Sequence, residues 1–218
     1  VTHMEVGQPS TAAPSGVIAA AKRALDDDVL GYTLAMGILP LRERIARHYQ
    51  DYYGVHVPAE RVCVTTGSSA AFLLTFLAAF DPGDKVAILR PGYPCYRNIL
   101  GALDIHAVEV PVGPDSRFQP TLQALDVAGG GELDGLLIAS PANPTGSMLR
   151  DDELRQMLAY CQDNQIRYIS DEIYHQITYG KVTNTAVAYN SDCVVINSFS
   201  KYYSMTGWRL GWMVLPDN

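Results

Sequence analysis

The sequence has no Cys-x-x-Cys pair, no excess of basic residues and no apolar run of bilayer length. Its four cysteines, Cys63, Cys95, Cys161 and Cys193, are scattered, and three of them lie in or beside apolar runs. Thiols placed in that way read as free, in a reducing compartment, and argue against a disulfide or zinc framework. A formal net charge of −7 leaves no basic surface for nucleic acid. The opening "VTHMEVGQPS" has no basic stretch followed by an apolar one, so no secretory signal is read there. A cytoplasmic location without membrane contact is the expectation. There is no G-x-G-x-x-G and no Walker A lysine, which leaves nucleotide binding unsupported. Lysine itself is rare, occurring only as Lys22, Lys85, Lys181 and Lys201.

What is present is a regular alternation of short apolar runs and longer amphipathic segments. The chain has 218 residues, 48% of them hydrophobic and 18% charged, enough to bury a substantial core. Seven runs read as strands: 61–66, 85–90, 106–112, 134–140, 166–170, 193–199 and 210–215. Several are apolar at consecutive positions, as strands covered on both faces are. Helical patterns cover 15–25, 39–53, 68–80 and 151–163, the last opening on Asp151, Asp152 and Glu153. "DVAGGGELD" reads as a surface connection. The alternation predicts an α/β fold, a mostly parallel seven-stranded sheet between helices.

In such sheets ligands sit beyond the carboxyl ends of the strands. Polar segments follow five of the runs: "TTGSSA", "PGYPCY", "SPANPTG", "SDEIYH" and "SFSK". Gly67, Ser68 and Ser69 lead from a strand into a helix, where free N–H groups and hydroxyls suit an anion or simply a capped turn. Asp171 follows a strand, either capping a turn or awaiting a cationic partner such as a protonated ring nitrogen. Glu172 beside it points the other way on a strand, a poor acid–base pair. Asn143 precedes a proline, which holds it extended; a plain turn explains it equally. Lys201 alone among the lysines follows an apolar run directly, where partial burial would make its amine a usable nucleophile or base. Ser198 and Arg209 flank it with a hydroxyl and a guanidinium fork for a phosphate. Ser198 and Lys201 also spell the Ser-x-x-Lys of acylating hydrolases. Those enzymes need the serine at a helix start and a K-T-G strand, and here the serine ends a strand and no K-T-G occurs.

A lysine, an aspartate, an Asn–Tyr pair and a phosphate cradle together resemble the site of the class I/II aminotransferases of the aspartate aminotransferase superfamily, pyridoxal phosphate enzymes of fold type I. The resemblance rests on "SFSKYYSMTGWRLG", on "PANPTG" and "DEIY" at matching spacing, and on their order along the chain from Glu5 nearly to the end. It implies the large, cofactor-binding domain of that fold over 16–218, incomplete at its C-terminus, with the small domain absent, and an N-terminal segment 1–15 near the substrate entrance. Lys201 would carry the cofactor as a Schiff base and shuttle the substrate proton. Asp171 would protonate the pyridine nitrogen, and Asn143 and Tyr174 would hold the phenolic oxygen. Tyr93 would stack on the ring. Gly67, Ser68, Ser69, Ser198 and Arg209 would hold the phosphate. Tyr32, in "GYTLAMG", would reach the phosphate of a neighbouring subunit, implying a homodimer. Gly7 and Asn143 would lie beside the substrate. His175 receives no role beyond support. The implied activity moves an amino group between an L-amino acid and a 2-oxo acid. The alternatives are a carbon–sulfur β-lyase or related eliminase on the same site, and a non-catalytic regulator. The arginine expected to bind the substrate carboxylate has no counterpart here.

Overall fold

The structure, a computed structural model, describes Thr2 and residues 6–217; Val1, residues 3–5 and Asn218, and with them parts of the expected 1–15 segment, lie outside the described residues. Seven strands form one sheet: β1 (Val62–Thr65), β2 (Lys85–Arg90), β3 (His106–Pro111), β4 (Gly135–Ala139), β5 (Arg167–Asp171), β6 (Val194–Ser198) and β7 (Gly211–Val214). Their order is β1-β7-β6-β5-β4-β2-β3. The pairs from β3 to β6 are parallel, and β7 runs antiparallel to both β6 and β1. All seven expected strands are present, and "mostly parallel" describes their directions.

Consecutive apolar residues divide between the two faces of the sheet, as the period of two requires. Leu136 and Ile138 of β4 join one core cluster with Tyr168, Val195 and Trp212. Leu137 between them joins the other, with Ile169, Ile196 and Met213. The first cluster is covered by α2 (Leu39–Tyr53), α5 (Leu122–Ala128) and α6 (Asp151–Asp163), the second by α3 (Ser68–Ala79) and α4 (Pro94–Ala102). α1 (Ser15–Asp27) contributes no buried residue. In α6 the three acidic residues complement the helix dipole, and the Glu153 carboxylate accepts from the Arg150 N–H at 2.8 Å.

Two helices escape the pattern reading. α4 begins inside "PGYPCY", noted above only as a polar segment that follows a strand. Pro94 stands at the first helical position, where the missing N–H costs nothing. α5 is only seven residues long, capped by Thr121 Oγ1, which accepts from the Ala124 N–H at 3.1 Å. Asp126–Ala128, assigned above to a surface connection, are its last turn.

Candidate active site

The C-terminal ends of β1, β2, β4, β5 and β6 border one cavity of about 310 Å³. Ser68 and Ser69 enter it from α3, Tyr93 from the start of α4, and Asn143 from the loop after β4. Asp171 and Tyr174 come from β5 and its following turn, and Lys201 and Arg209 from the segment between β6 and β7. Gly7, with Val6 and Gln8, closes it from the N-terminal segment.

The anionic end is built from backbone geometry. Gly67 caps α3 with φ +82° and has no side chain to satisfy the first-turn N–H groups. A Cβ at Gly67 would lie 2.5 Å from Arg209 Nη2 and 3.0 Å from its Cζ. The guanidinium therefore lies directly against the helix start, and only glycine leaves it room. Arg209 is itself in the left-handed region, φ +52°, a conformation that costs a non-glycine residue energy and recurs at functional sites. Its Nη1 donates to the Thr206 carbonyl at 2.9 Å, which fixes the fork.

At the opposite end Asp171, 4% exposed, is the last residue of β5 rather than the first beyond it. Its Oδ2 accepts a short hydrogen bond from the Tyr96 hydroxyl, and its Oδ1 accepts from the Ile173 N–H at 3.1 Å. Burial raises its pKa to about 6, opposed by those donors and by the charge of Lys201. Lys201 is half-buried and its pKa is lowered, first by burial and then by Arg209, with Asp171 pulling the other way. Its Nζ donates to the Gly7 carbonyl and lies 5.9 Å from the centre of the Tyr174 ring. The other lysines are elsewhere: Lys22 and Lys181 are exposed, and Lys85 pairs with Glu132 at 2.8 Å.

Three candidates are not part of the cavity wall: Gly67, which lies against the Arg209 guanidinium, Ser198 and Tyr32. Ser198 is buried, and its Oγ accepts from the Ser200 N–H at 2.8 Å; Ser200 lines the cavity in its place. Tyr32 is fully exposed. Residues not singled out from the sequence complete the walls: Phe72, Tyr96, Ile173, Ser200 and Thr206. Tyr96 is the most consequential, since it holds Asp171. Its ring packs edge-on against Tyr93 at 5.4 Å and Phe72 at 5.0 Å. A helical reading of 94–102 would have placed Tyr96 on the inward face of α4. All four cysteines are free, with Cys95 partly exposed and the rest buried. Among the described residues no helix is long and apolar enough to cross a membrane.

The residues present fit pyridoxal phosphate. The start of α3 with Ser68, Ser69 and the Arg209 guanidinium, all at one end of the cavity, suits a phosphate, and a buried carboxylate whose charge burial disfavours suits a protonated ring nitrogen.

Comparison with known proteins agrees with this geometry. The family described as aminotransferase class I and II matches residues 1–218. A valine–pyruvate aminotransferase of Mycobacterium tuberculosis is 50% identical over 99% of this chain and 56% of its own length. A solved aminotransferase structure from Mycobacterium tuberculosis superposes with a TM-score of 0.94 at 51% identity, covering 97% of this chain and 58% of that one. The aspartate aminotransferase of Thermus thermophilus, solved with maleate, gives 0.92 at 30% identity over 97% of this chain and 56% of its own. The chain thus spans little more than half the length of these relatives.

Proposed function

The chain belongs to the class I and II aminotransferases, a pyridoxal phosphate-dependent family, and on that premise we propose that the whole protein moves an amino group between an L-amino acid and a 2-oxo acid. The observation that carries this reading is the joint placement of Lys201, Asp171 and Arg209 around one cavity. When bound, pyridoxal phosphate supplies an electrophilic carbon and an electron-withdrawing ring that stabilises negative charge on the substrate α-carbon. Ser68, Ser69, Arg209 and the start of α3 bind the phosphate, and Ser198 supports them through the Ser200 backbone. Asp171 holds a proton at the ring nitrogen, in a geometry fixed by Tyr96 and the Ile173 N–H. Tyr93 covers the ring, and Asn143 and Tyr174 hold its phenolic oxygen. Lys201 Nζ, its pKa lowered by burial, anchors the cofactor and carries the α-proton.

The N-terminal segment 1–15 belongs at the substrate entrance in this reading. Two observations support it: Val6, Gly7 and Gln8 line the cavity, and Thr11 Oγ1 bonds Ser204 Oγ at 2.7 Å. Residues 16–218 form the cofactor-binding domain. We assign the protein to the cytoplasm, in keeping with its free thiols, and to a homodimer in which Tyr32 serves the neighbouring site. Exposed Val29, Leu30 and Leu34 beside Tyr32, with Leu73, Leu74 and Leu77 on α3, supply an apolar surface for that contact.

The identity with a valine–pyruvate aminotransferase makes valine and pyruvate the first pair to assay. The test incubates the whole protein and cofactor with a panel of amino acids, without an acceptor. Stoichiometric 2-oxo acid together with pyridoxamine phosphate is expected. Release of pyruvate and ammonia from β-substituted donors alone would replace this reading with the lyase, and no reaction with any donor would favour the regulator.

A further inference from the structure

A second buried acid follows directly after β5, its side chain turned to the opposite side of the sheet from Asp171. Glu172 is 1% exposed. Its Oε1 accepts from Ser170 Oγ at 3.0 Å, Thr185 Oγ1 at 3.1 Å and the Ala186 N–H at 2.8 Å. Its Oε2 has no hydrogen-bond partner and lies 3.5 Å from His175 Nδ1. His175 is also buried and is held at both nitrogens. Nε2 is 2.9 Å from the Ser140 carbonyl oxygen, and Nδ1 is 2.7 Å from the Tyr53 hydroxyl on α2.

Donor and acceptor rules restrict the protons here. The Ser140 carbonyl only accepts, so Nε2 carries a hydrogen. Nδ1 then either accepts from Tyr53 or carries a hydrogen of its own. An ionised Glu172 beside a neutral ring, whose Nδ1 lone pair the Tyr53 hydroxyl occupies, would leave a buried anion with one oxygen unpaired. A charged ring beside a protonated Glu172 would leave a buried cation without its counter-ion. The two remaining states are a protonated Glu172 beside a neutral ring, and an ion pair; both carry no net charge.

We propose that Glu172 and His175 form a net-neutral positioning pair for the Asp171–Tyr174 turn, with Glu172 protonated and His175 neutral at rest. The surroundings favour that placement. Tyr49, Tyr53 and His48 face the pair from α2, Tyr168 and Asp171 from β5, and Cys193 from the approach to β6. None of these brings a cation to Glu172. A neighbouring cavity reaches His175 and carries Arg150, Asp151 and Lys181, but Arg150 is engaged with Asp152 and Glu153. Burial raises Glu172 to about 7 and lowers His175 to about 3, in the same direction.

The pair sits where it governs the active-site turn. The His175 N–H donates to the Glu172 carbonyl at 3.0 Å, closing the turn that presents Tyr174. The imidazole ties this turn to the end of β4, which leads to Asn143, and to α2. An anion at Glu172 would also repel the adjacent Asp171 and disfavour its ionised form. A neutral Glu172 leaves Asp171 as the acid that ionises. This positioning role rests on the cofactor reading of the cavity, whereas the protonation of Glu172 does not.

The test uses the whole protein. Without cofactor, in an Asp171→Asn background that removes the other carboxyl buried among the described residues, infrared spectra at about pH 6 should contain a protonated-carboxyl band. The band should vanish when Glu172→Gln is added, or, if that variant fails to fold, when the pH is raised above about 8. No such band at any pH overturns the proposal. Pyridoxal phosphate affinity should change no more than about twofold in Glu172→Gln, a neutral replacement, and fall about tenfold in His175→Phe, with recovery in His175→Gln. A loss in Glu172→Gln as large as in His175→Phe also overturns it. If the unaltered protein binds no cofactor, the proposed function fails and the infrared result still decides the pair.

Discussion

Asp171 and Glu172 are consecutive and both buried, yet the chain turns them to opposite sides of the sheet where β5 ends and surrounds them differently. Asp171 opens onto the cavity with two donors, a nearby lysine and space for a cation. Glu172 is enclosed by three donors to one oxygen and a neutral histidine near the other. Burial pushes both upward, to about 6 and about 7, so depth alone does not distinguish them. What separates them is what each faces, the cavity for Asp171 and packed side chains for Glu172. A carboxylate that borders space for a cation is primed to bind one, whereas a sealed carboxyl is structural support.

The contrast breaks if the two acids respond alike to neutral replacement. Asp171→Asn in the whole protein should slow substrate α-hydrogen exchange by about 10²–10⁴-fold, while Glu172→Gln stays near the unaltered rate. Equal losses would erase the distinction. Gly67→Ala tests the opposite end of the cavity, since its Cβ would displace the Arg209 guanidinium and its φ is strained for alanine. Pyridoxal phosphate affinity should fall by about ten- to a hundredfold, measured by titration of the apoprotein.

Stability sharpens the comparison further. In the cofactor-free protein Asp171 has its pKa raised above that of the unfolded chain. Its stabilising contribution is therefore complete below the unfolded value and is lost as pH rises through about 6. Asp171→Asn removes this loss, so above that pH the variant should be more stable by about 2–3 kcal/mol in urea unfolding, even though its activity is lower. The smallest effect is expected for Tyr96→Phe. It removes a donor to the carboxylate, should weaken cofactor binding about fivefold, and should move the acid limb of the pH–rate profile upward.

The sheet was readable because β4, β5 and β6 are apolar at consecutive positions and are bounded by polar strand ends. Lys201 stood out for the same reason, as the only lysine directly after such a run. α4 was not readable, because Pro91, Gly92 and Pro94 mask a helix start, and Tyr96 went unnoticed with it. Its partner Asp171 is 75 residues away in sequence and meets it only across the sheet. Ser198 shows a subtler limit. Its spacing to Lys201 was visible, but the direction of its Oγ, into the Ser200 backbone, depends on the turn after β6. The Glu172–His175 contact follows i,i+3 spacing, which gains meaning only once Tyr53 and Ser140 fix the imidazole.

The central claim is that Lys201 is the residue to which the cofactor is joined. Borohydride reduction of the whole protein loaded with pyridoxal phosphate, followed by proteolysis and mass mapping, tests it directly. The account predicts a single phosphopyridoxyl adduct on the peptide containing Lys201. An adduct on Lys22, Lys85 or Lys181 with Lys201 unmodified would contradict it.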